Sequence, residues 1–374
     1  MKLSSLLIVI LIGSPLPYHA HPNQQLSAQR VELHDTTEWR VRPSFILDTV
    51  CFLNILTGDP FYVRFYENEY ARFEPQLTAP VRASLSALKR TIKDENKNII
   101  SAFLALHFSA TDDRTLDDML RTLKDSKRMK ESLKKTDYYN ESGWQLYQSV
   151  REDLKIVISF LRDIRFEDYW HRHILPEVQR KIAAVEKEVQ RYNVVGEVEK
   201  HLGSPLSSQV VTVYLLYYSQ PHGIRLTGTR FVADAAYPFR IVLQNAIHEM
   251  LHPPYKLARD RELRKALDSL RADAFLMDKI KNHNPSFGYN SFESFVEENC
   301  VRALDQLISE RFKIEREARQ RWREEDDGMH VFAVALYSLM KREDFGGGQE
   351  TFRDFFGADD SFRQVGSGQG RKNL

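Results

Sequence analysis

From about residue 37 to residue 202 apolar side chains recur at helical spacing almost without interruption, and Gly203-Ser204-Pro205 ends that pattern. The next stretch is of another kind. Gln209-Val210-Val211-Thr212-Val213-Tyr214-Leu215-Leu216-Tyr217-Tyr218 is β-branched and aromatic, too continuously apolar for a one-sided helix. This change of period constrains the fold more than any other feature. It predicts a helical region over 21–205 and a second region over 206–345 that begins with strands, hence an α+β, mostly helical fold. With 42% hydrophobic residues among 374, both parts have the material for a buried core.

In the first part Phe45, Ile46, Val50, Leu53, Ile55 and Leu56 open the pattern and Pro60 closes its first segment. Further helices are expected over 79–93, 95–108, 115–134, 142–163 and 166–200, with Asp112, Asp113 and Ser142 as caps. In the second part Pro221-His222-Gly223 reads as the turn of a hairpin, and 224–226 and 230–233 supply two more short strands separated at Gly228. The sheet is therefore expected to be small and mainly antiparallel. Pro238 suits the first turn of a helix whose apolar face is Phe239, Val242, Leu243, Ala246, Ile247 and Met250.

That helix carries His248-Glu249-Met250-Leu251-His252, an HExxH, and Pro253-Pro254 stop it directly behind His252. Histidines four apart share a helix face, so two imidazoles can close on one metal ion. A third protein ligand from elsewhere leaves a position for water, and Glu249 stands beside it as a base. The pattern points to metal-assisted hydrolysis. Against it stands the reading of three polar residues on a solvated face, in a chain with 12 His and 52 acidic residues.

Charge and targeting bound the partners. Lys plus Arg (53) nearly cancel Asp plus Glu (52), so no basic field argues for nucleic acid or an anionic membrane. Met1-Lys2-Leu3, an apolar run from Leu6 to Ile12 and then Gly13, Pro15, Pro17 and Ala20 read as a signal peptide over 1–20, giving an exported, periplasmic or secreted protein. No later stretch is long and uncharged enough to be an integral membrane segment. Cys51 and Cys300 are the only cysteines, and in an oxidising compartment they either pair or stay as two buried thiols. His171 and His173, two apart, diverge on a helix and read as surface or packing residues. Asn140-Glu141-Ser142 is a formal glycosylation acceptor.

Strands followed by an HExxH helix resemble the catalytic domain of zincin metallopeptidases, and the resemblance covers about residues 206–345. It implies a Zn²⁺ cofactor, a peptide or protein substrate and hydrolysis with Glu249 as general base. Metzincins add a third histidine on the same run, where this chain has Pro253-Pro254-Tyr255-Lys256, so the gluzincin pattern is the nearer one. In that pattern a glutamate from a second helix completes a His₂Glu site.

The second helix is expected after a helical stretch over 256–281 and a loop with His283, Pro285 and Gly288. It runs from Tyr289-Asn290-Ser291-Phe292-Glu293 through Glu297-Glu298 to Leu304. Asn290 with Glu293 makes a capping box, and apolar residues on both sides make the helix a buried one. Glu293-Ser294-Phe295-Val296-Glu297 resembles the ligand string of aminopeptidase-type gluzincins. Glu298-Asn299-Cys300-Val301-Arg302-Ala303 resembles a Glu-x-x-Val-Arg-Ala string in a poorly characterised group of exported bacterial HExxH proteins. The latter resemblance implies His248, His252 and Glu298 as ligands, with Glu293 and Glu297 as the alternatives. Arg302 either fixes Glu298, holds substrate, or pairs with Asp305. Tyr255, Tyr289 and Arg302 are candidate donors to an oxyanion. His330 reads as packing, and 346–374 as a flexible tail begun by Gly346-Gly347-Gly348. A rival from another class is an exported helical binding or scaffold protein with a vestigial or regulatory zincin-like metal site.

Overall fold

The computed structural model describes residues 8–9, 33–136, 138–255, 260–284, 289–346 and 350–357. The signal-peptide expectation for 1–20 lies outside these except at Ile8–Val9, as do the C-terminal tail beyond 357 and the first part of the 256–281 helix.

The chain is mostly helical around one small mixed sheet. Its strands are β1 (Glu38–Arg42), β2 (Val210–Leu216), β3 (Gly223–Arg225) and β4 (Arg230–Asp234), in spatial order β3-β4-β2-β1. At the outer edge Ile8–Val9 pairs in parallel with Gly223 and Ile224. β1 runs parallel to β2, with Glu38 opposite Val210 and Arg42 opposite Tyr214, and β2 parallel to β4, with Thr212 opposite Arg230. Among the four main strands only β3 and β4 are antiparallel, with Ile224 opposite Val232.

The expected, mainly antiparallel sheet is thus corrected to a mostly parallel one, and β2 makes no hairpin with β3. The cause lies at the end of β2. The carboxylate of Asp48 accepts hydrogen bonds from the backbone of Tyr218 (2.8 Å) and Tyr217 (3.2 Å), which ties the chain to the first helix instead of turning it back. β4 then enters between β2 and β3. β2 is buried on both faces, as its unbroken apolar reading requires of an interior parallel strand.

β1 corrects a second expectation, since 38–42 fell inside the helical run. Glu38-Trp39-Arg40-Val41-Arg42 alternates with period two, its charges exposed and Trp39 and Val41 buried. Behind it the helix Phe45–Leu56, capped by Ser44, is buried along its whole length and packs on Ile100–Phe108, buried likewise. Both are apolar all round, the pattern of helices enclosed by other elements. The helix Glu141–Asp163 starts one residue earlier than expected because Asn140, not Ser142, caps it by accepting from Gly143 N at 2.6 Å. The single helix expected over 166–200 is divided, ending at Val189 and restarting at Val194 with Asn193 as cap.

Apolar packing runs continuously from Trp39 to Phe356. Its far end corrects the flexible tail: Phe352–Gly357 is a helix, because Phe352, Phe355 and Phe356 bury themselves and Phe356 stacks on Tyr255 with centroids 5.3 Å apart. Cys51 and Cys300 are both buried and unbonded, so of the two readings the free thiols hold.

Candidate metal centre

The helix Phe239–Met250 lies deep in the fold, every residue from Val242 to Met250 being buried. It ends at Met250, two residues short of the expected end at His252, which lies just beyond the last turn because the residue before a proline avoids helical geometry. Leu251 closes the last turn, and the carbonyl of His252 is taken by Arg225 Nη1 of β3 at 2.5 Å. The i, i+4 spacing sets the two imidazoles face to edge with centroids 5.0 Å apart and their Nε2 atoms 3.2 Å apart.

The helix Phe292–Arg311 packs against this one. Its N-terminus is closed by Ser291 and Ser294 in a reciprocal capping box, which displaces the expected Asn290–Glu293 pair and frees Glu293 to bind exposed Arg271 at 2.5 Å. From Glu298 to Ser309 the helix is wholly buried. Glu298 Oε2 comes within 3.6 Å of His248 Nε2 and 3.4 Å of His252 Nε2. Glu297 does not enter that triangle; it reaches round to His252 Nδ1 at 3.2 Å.

His248 and His252 therefore carry a carboxylate on Nδ1, Asp305 Oδ2 at 2.8 Å for the first and Glu297 for the second. A proton held on Nδ1 leaves Nε2 as the lone-pair atom, and both Nε2 atoms face Glu298. The donor atoms of His248, His252 and Glu298 lie within 4.8 Å of one another, all three residues are buried, and together they can hold a metal ion. Glu298 Oε1 accepts from Arg302 Nε at 2.6 Å, whereas Oε2 has no hydrogen-bond partner among the described residues. A buried carboxylate oxygen without a partner is costly unless a cation completes it.

The electrostatics point the same way. Burial pushes the His248 imidazole down, but the charges of Glu298 and Asp305 outweigh it and raise it to about 9. Burial pushes Glu298 up, yet Arg302 and His248 hold it well below the usual carboxylate range. Surroundings that favour a proton on His248 Nε2 favour a divalent cation there, since both compete for one lone pair. Glu249, 2% exposed, has both carboxylate oxygens without a hydrogen-bond partner among the described residues. Burial raises its carboxyl, and the charges of His248, His252 and Arg225 pull it part of the way back.

The other candidates fall elsewhere. Arg302 is no substrate binder, for it is fully buried and its remaining nitrogens hold Glu325 and, at 3.0 Å, Asp326. Asp305, the partner weighed for Arg302, is instead gripped by Arg321, at 2.9 Å through Nη2. Tyr255 is buried with its hydroxyl unpartnered, and Tyr289 is buried edge-on to His330 at 6.0 Å. His330 Nε2 donates to Asp326 Oδ2 at 2.8 Å and serves packing, as expected. His171 stacks on Phe45 at 6.0 Å and His173 lies against Tyr169 at 4.8 Å, away from the centre. Asp305, Arg321, Glu325 and Asp326 were not foreseen as supports. Only Asp305 carried a signal, lying seven residues and so two turns from Glu298 on the same face.

No family model, no curated protein and no solved structure matches this chain.

Proposed function

We propose that this chain is an exported zinc-dependent peptidase, with His248, His252 and Glu298 as the metal ligands and Glu249 as general base. One observation carries the reading: a buried carboxylate with both oxygens unpartnered among the described residues stands next to a closed His₂Glu donor set. When bound, Zn²⁺ would supply Lewis acidity, lowering the pKa of a water it holds and polarising the substrate carbonyl.

The chain's own residues do the rest. An unpartnered oxygen of Glu249 takes the proton of the attacking water and delivers it to the leaving amine. Glu297 and Asp305 hold the histidines by Nδ1 so that neither ring turns away during this cycle. Arg225, fixed on the His252 carbonyl and near enough to influence Glu249, places a positive charge at the wall of the site. Of the three oxyanion donors foreseen, Tyr255 keeps a hydroxyl without a partner among the described residues, Arg302 being committed to carboxylates. Export rests on the N-terminal pattern; among the described residues no helix is long and apolar enough to cross a membrane.

The test is metal content, then hydrolysis. The purified chain should hold one equivalent of zinc and cleave a mixed peptide library, with activity lost to a chelator and restored by Zn²⁺. Glu249→Gln should keep the zinc and lose cleavage. A wild-type chain that takes up no metal, or a Glu249→Gln variant that still hydrolyses, refutes the assignment.

A further inference from the structure

We infer that Glu325, which touches no ligand, is a positioning residue for the metal centre: through Arg302 it sets Glu298, and through Arg321 and Asp305 it sets His248. The inference rests on the metal-site reading and extends it to how the ligands are aimed.

Glu325 opens the short turn Glu325–Gly328 and is 2% exposed. Its Oε2 accepts from Arg302 Nη1, and both its oxygens accept from Arg321 Nε at 3.2 Å. Arg316 Nη2 adds a third contact on Oε1. From this one carboxylate two arms diverge. Along the first, Arg302 has Nη1 on Glu325, Nη2 on Asp326 Oδ2 at 3.0 Å and Nε on Glu298 Oε1 at 2.6 Å. The guanidinium is planar and its forks are rigid, so anchoring both terminal nitrogens fixes where Nε points. It captures Oε1 and leaves Oε2, with no hydrogen bond among the described residues, turned to the two imidazoles. Which oxygen of Glu298 becomes the ligand atom is decided at Glu325 and Asp326.

Along the second arm, Arg321 holds Glu325 with Nε and Asp305 with both terminal nitrogens, Nη1 also reaching Gln306 Oε1 at 3.2 Å. Asp305 Oδ2 then binds His248 Nδ1 at 2.8 Å. Two ligands from two helices are thereby referred to one point on a third segment. That segment is itself held in an unfavourable shape. Asp326 and Asp327 have φ of 46° and 53°, the left-handed region that side-chain-bearing residues avoid. Arg302 and His330, both on Asp326, keep the turn there. Non-glycine residues persist in such conformations where surrounding contacts over-determine them, and these cluster at functional sites.

A purely structural salt-bridge cluster would account for the contacts but not for a metal phenotype, and that difference is the test. In the full chain, metal affinity is measured by competition of Zn²⁺ with a chromophoric chelator, and ligand geometry by the visible spectrum of the Co²⁺-substituted protein. Thermal unfolding is monitored with and without metal. Glu325→Gln should weaken Zn²⁺ about 10- to 100-fold, alter the Co²⁺ bands, and shrink the rise in Tm that metal brings. Glu325→Asp, which restores the charge, should recover part of the affinity. Asp326→Asn loosens only the Arg302 arm and should show a smaller loss. A folded Glu325→Gln with wild-type affinity and Co²⁺ spectrum, and only a lowered Tm, overturns the inference while leaving the peptidase reading intact. Should Glu325→Gln not fold, Glu325→Asp decides, since it draws the carboxylate back from Arg302 and Arg321, and fully wild-type affinity and Co²⁺ spectrum there overturn the inference. A wild-type chain that binds no metal brings down both.

Discussion

Asp234 offers a perturbation whose size can be worked from the structure. It ends β4, is 1% exposed, and accepts from Ala236 N at 2.8 Å and from Tyr66 and Ser219 hydroxyls at 3.2 Å each. No cation faces it among these partners, and Asp48 adds a like charge. Burial, with help from Asp48 and against those hydrogen bonds, lifts its carboxyl from 3.8 to about 7. A folded-state value above the unfolded one means that the folded chain binds the proton more tightly, so stability is greatest below pH 3.8 and is lost as pH rises through about 7. At about 1.4 kcal/mol per unit, the full loss is on the order of 4 kcal/mol, and by pH 5 it is less than about half of that. Asp234→Asn removes the charge at similar shape, so it should stabilise the chain most at pH 8 and much less at pH 5. With about 2 cal/mol/K of unfolding entropy per residue, 4 kcal/mol in a chain this long raises Tm by about 5 °C. Thermal scans of both proteins from pH 5 to pH 8 read this directly. An equal gain at both ends, or destabilisation at pH 8, would mean that Asp234 is held ionised by something other than the groups named.

Asp305→Asn keeps the shape but puts an amide between His248 Nδ1 and Arg321, so Zn²⁺ affinity should fall about 10- to 100-fold in the competition titration, with unchanged affinity counting against its role. Because Cys51 and Cys300 are fully buried and unbonded, a thiol reagent should find none in the native chain and two after denaturation without reductant, whereas zero in both would mean a disulfide.

The three residues that can hold a metal ion were legible because their chemistry is local. HExxH with a proline stop fixes two imidazoles on one helix face, and Glu298 came from a string of residues rather than from geometry. Elements set by contacts distant in sequence were not. β1 was readable in principle, since Glu38-Trp39-Arg40-Val41-Arg42 alternates cleanly, but a five-residue strand standing before a buried helix is lost in its helical surroundings. The parallel order of the sheet depends on Asp48, about 170 residues before the backbone it binds, and no local turn signal carries that. The helix Phe352–Gly357 comes after a glycine run, so local composition suggests flexibility while three buried phenylalanines decide otherwise. Glu325 and Asp326 sit in an acidic run, Glu324-Glu325-Asp326-Asp327, of the sort that usually faces solvent, and only Arg302, Arg316 and Arg321 converging on it make it interior.

That buried cluster bears on the rival reading of a vestigial site. Glu298, Asp305, Glu325 and Asp326 are four buried carboxylates against the guanidinium groups of Arg302, Arg316 and Arg321, and Glu249 adds a fifth acid with no partner. With Glu297 and Arg225 counted in, the acids ionised and the imidazoles neutral as a bound cation would keep them, the centre lacks two positive charges, the number that one divalent cation brings. A site kept only for packing would gain by losing this imbalance. Glu249→Gln alone would relieve a desolvated charge, since its carboxyl is raised by burial and no hydrogen bond among the described residues offsets that. The expected signature of a working centre is therefore opposed responses to one substitution: Glu249→Gln should raise the Tm of the metal-free chain while abolishing hydrolysis by the metal-loaded one. A variant no more stable than the wild type without metal would show that Glu249 is not the strained, unpaired acid on which the general-base role depends.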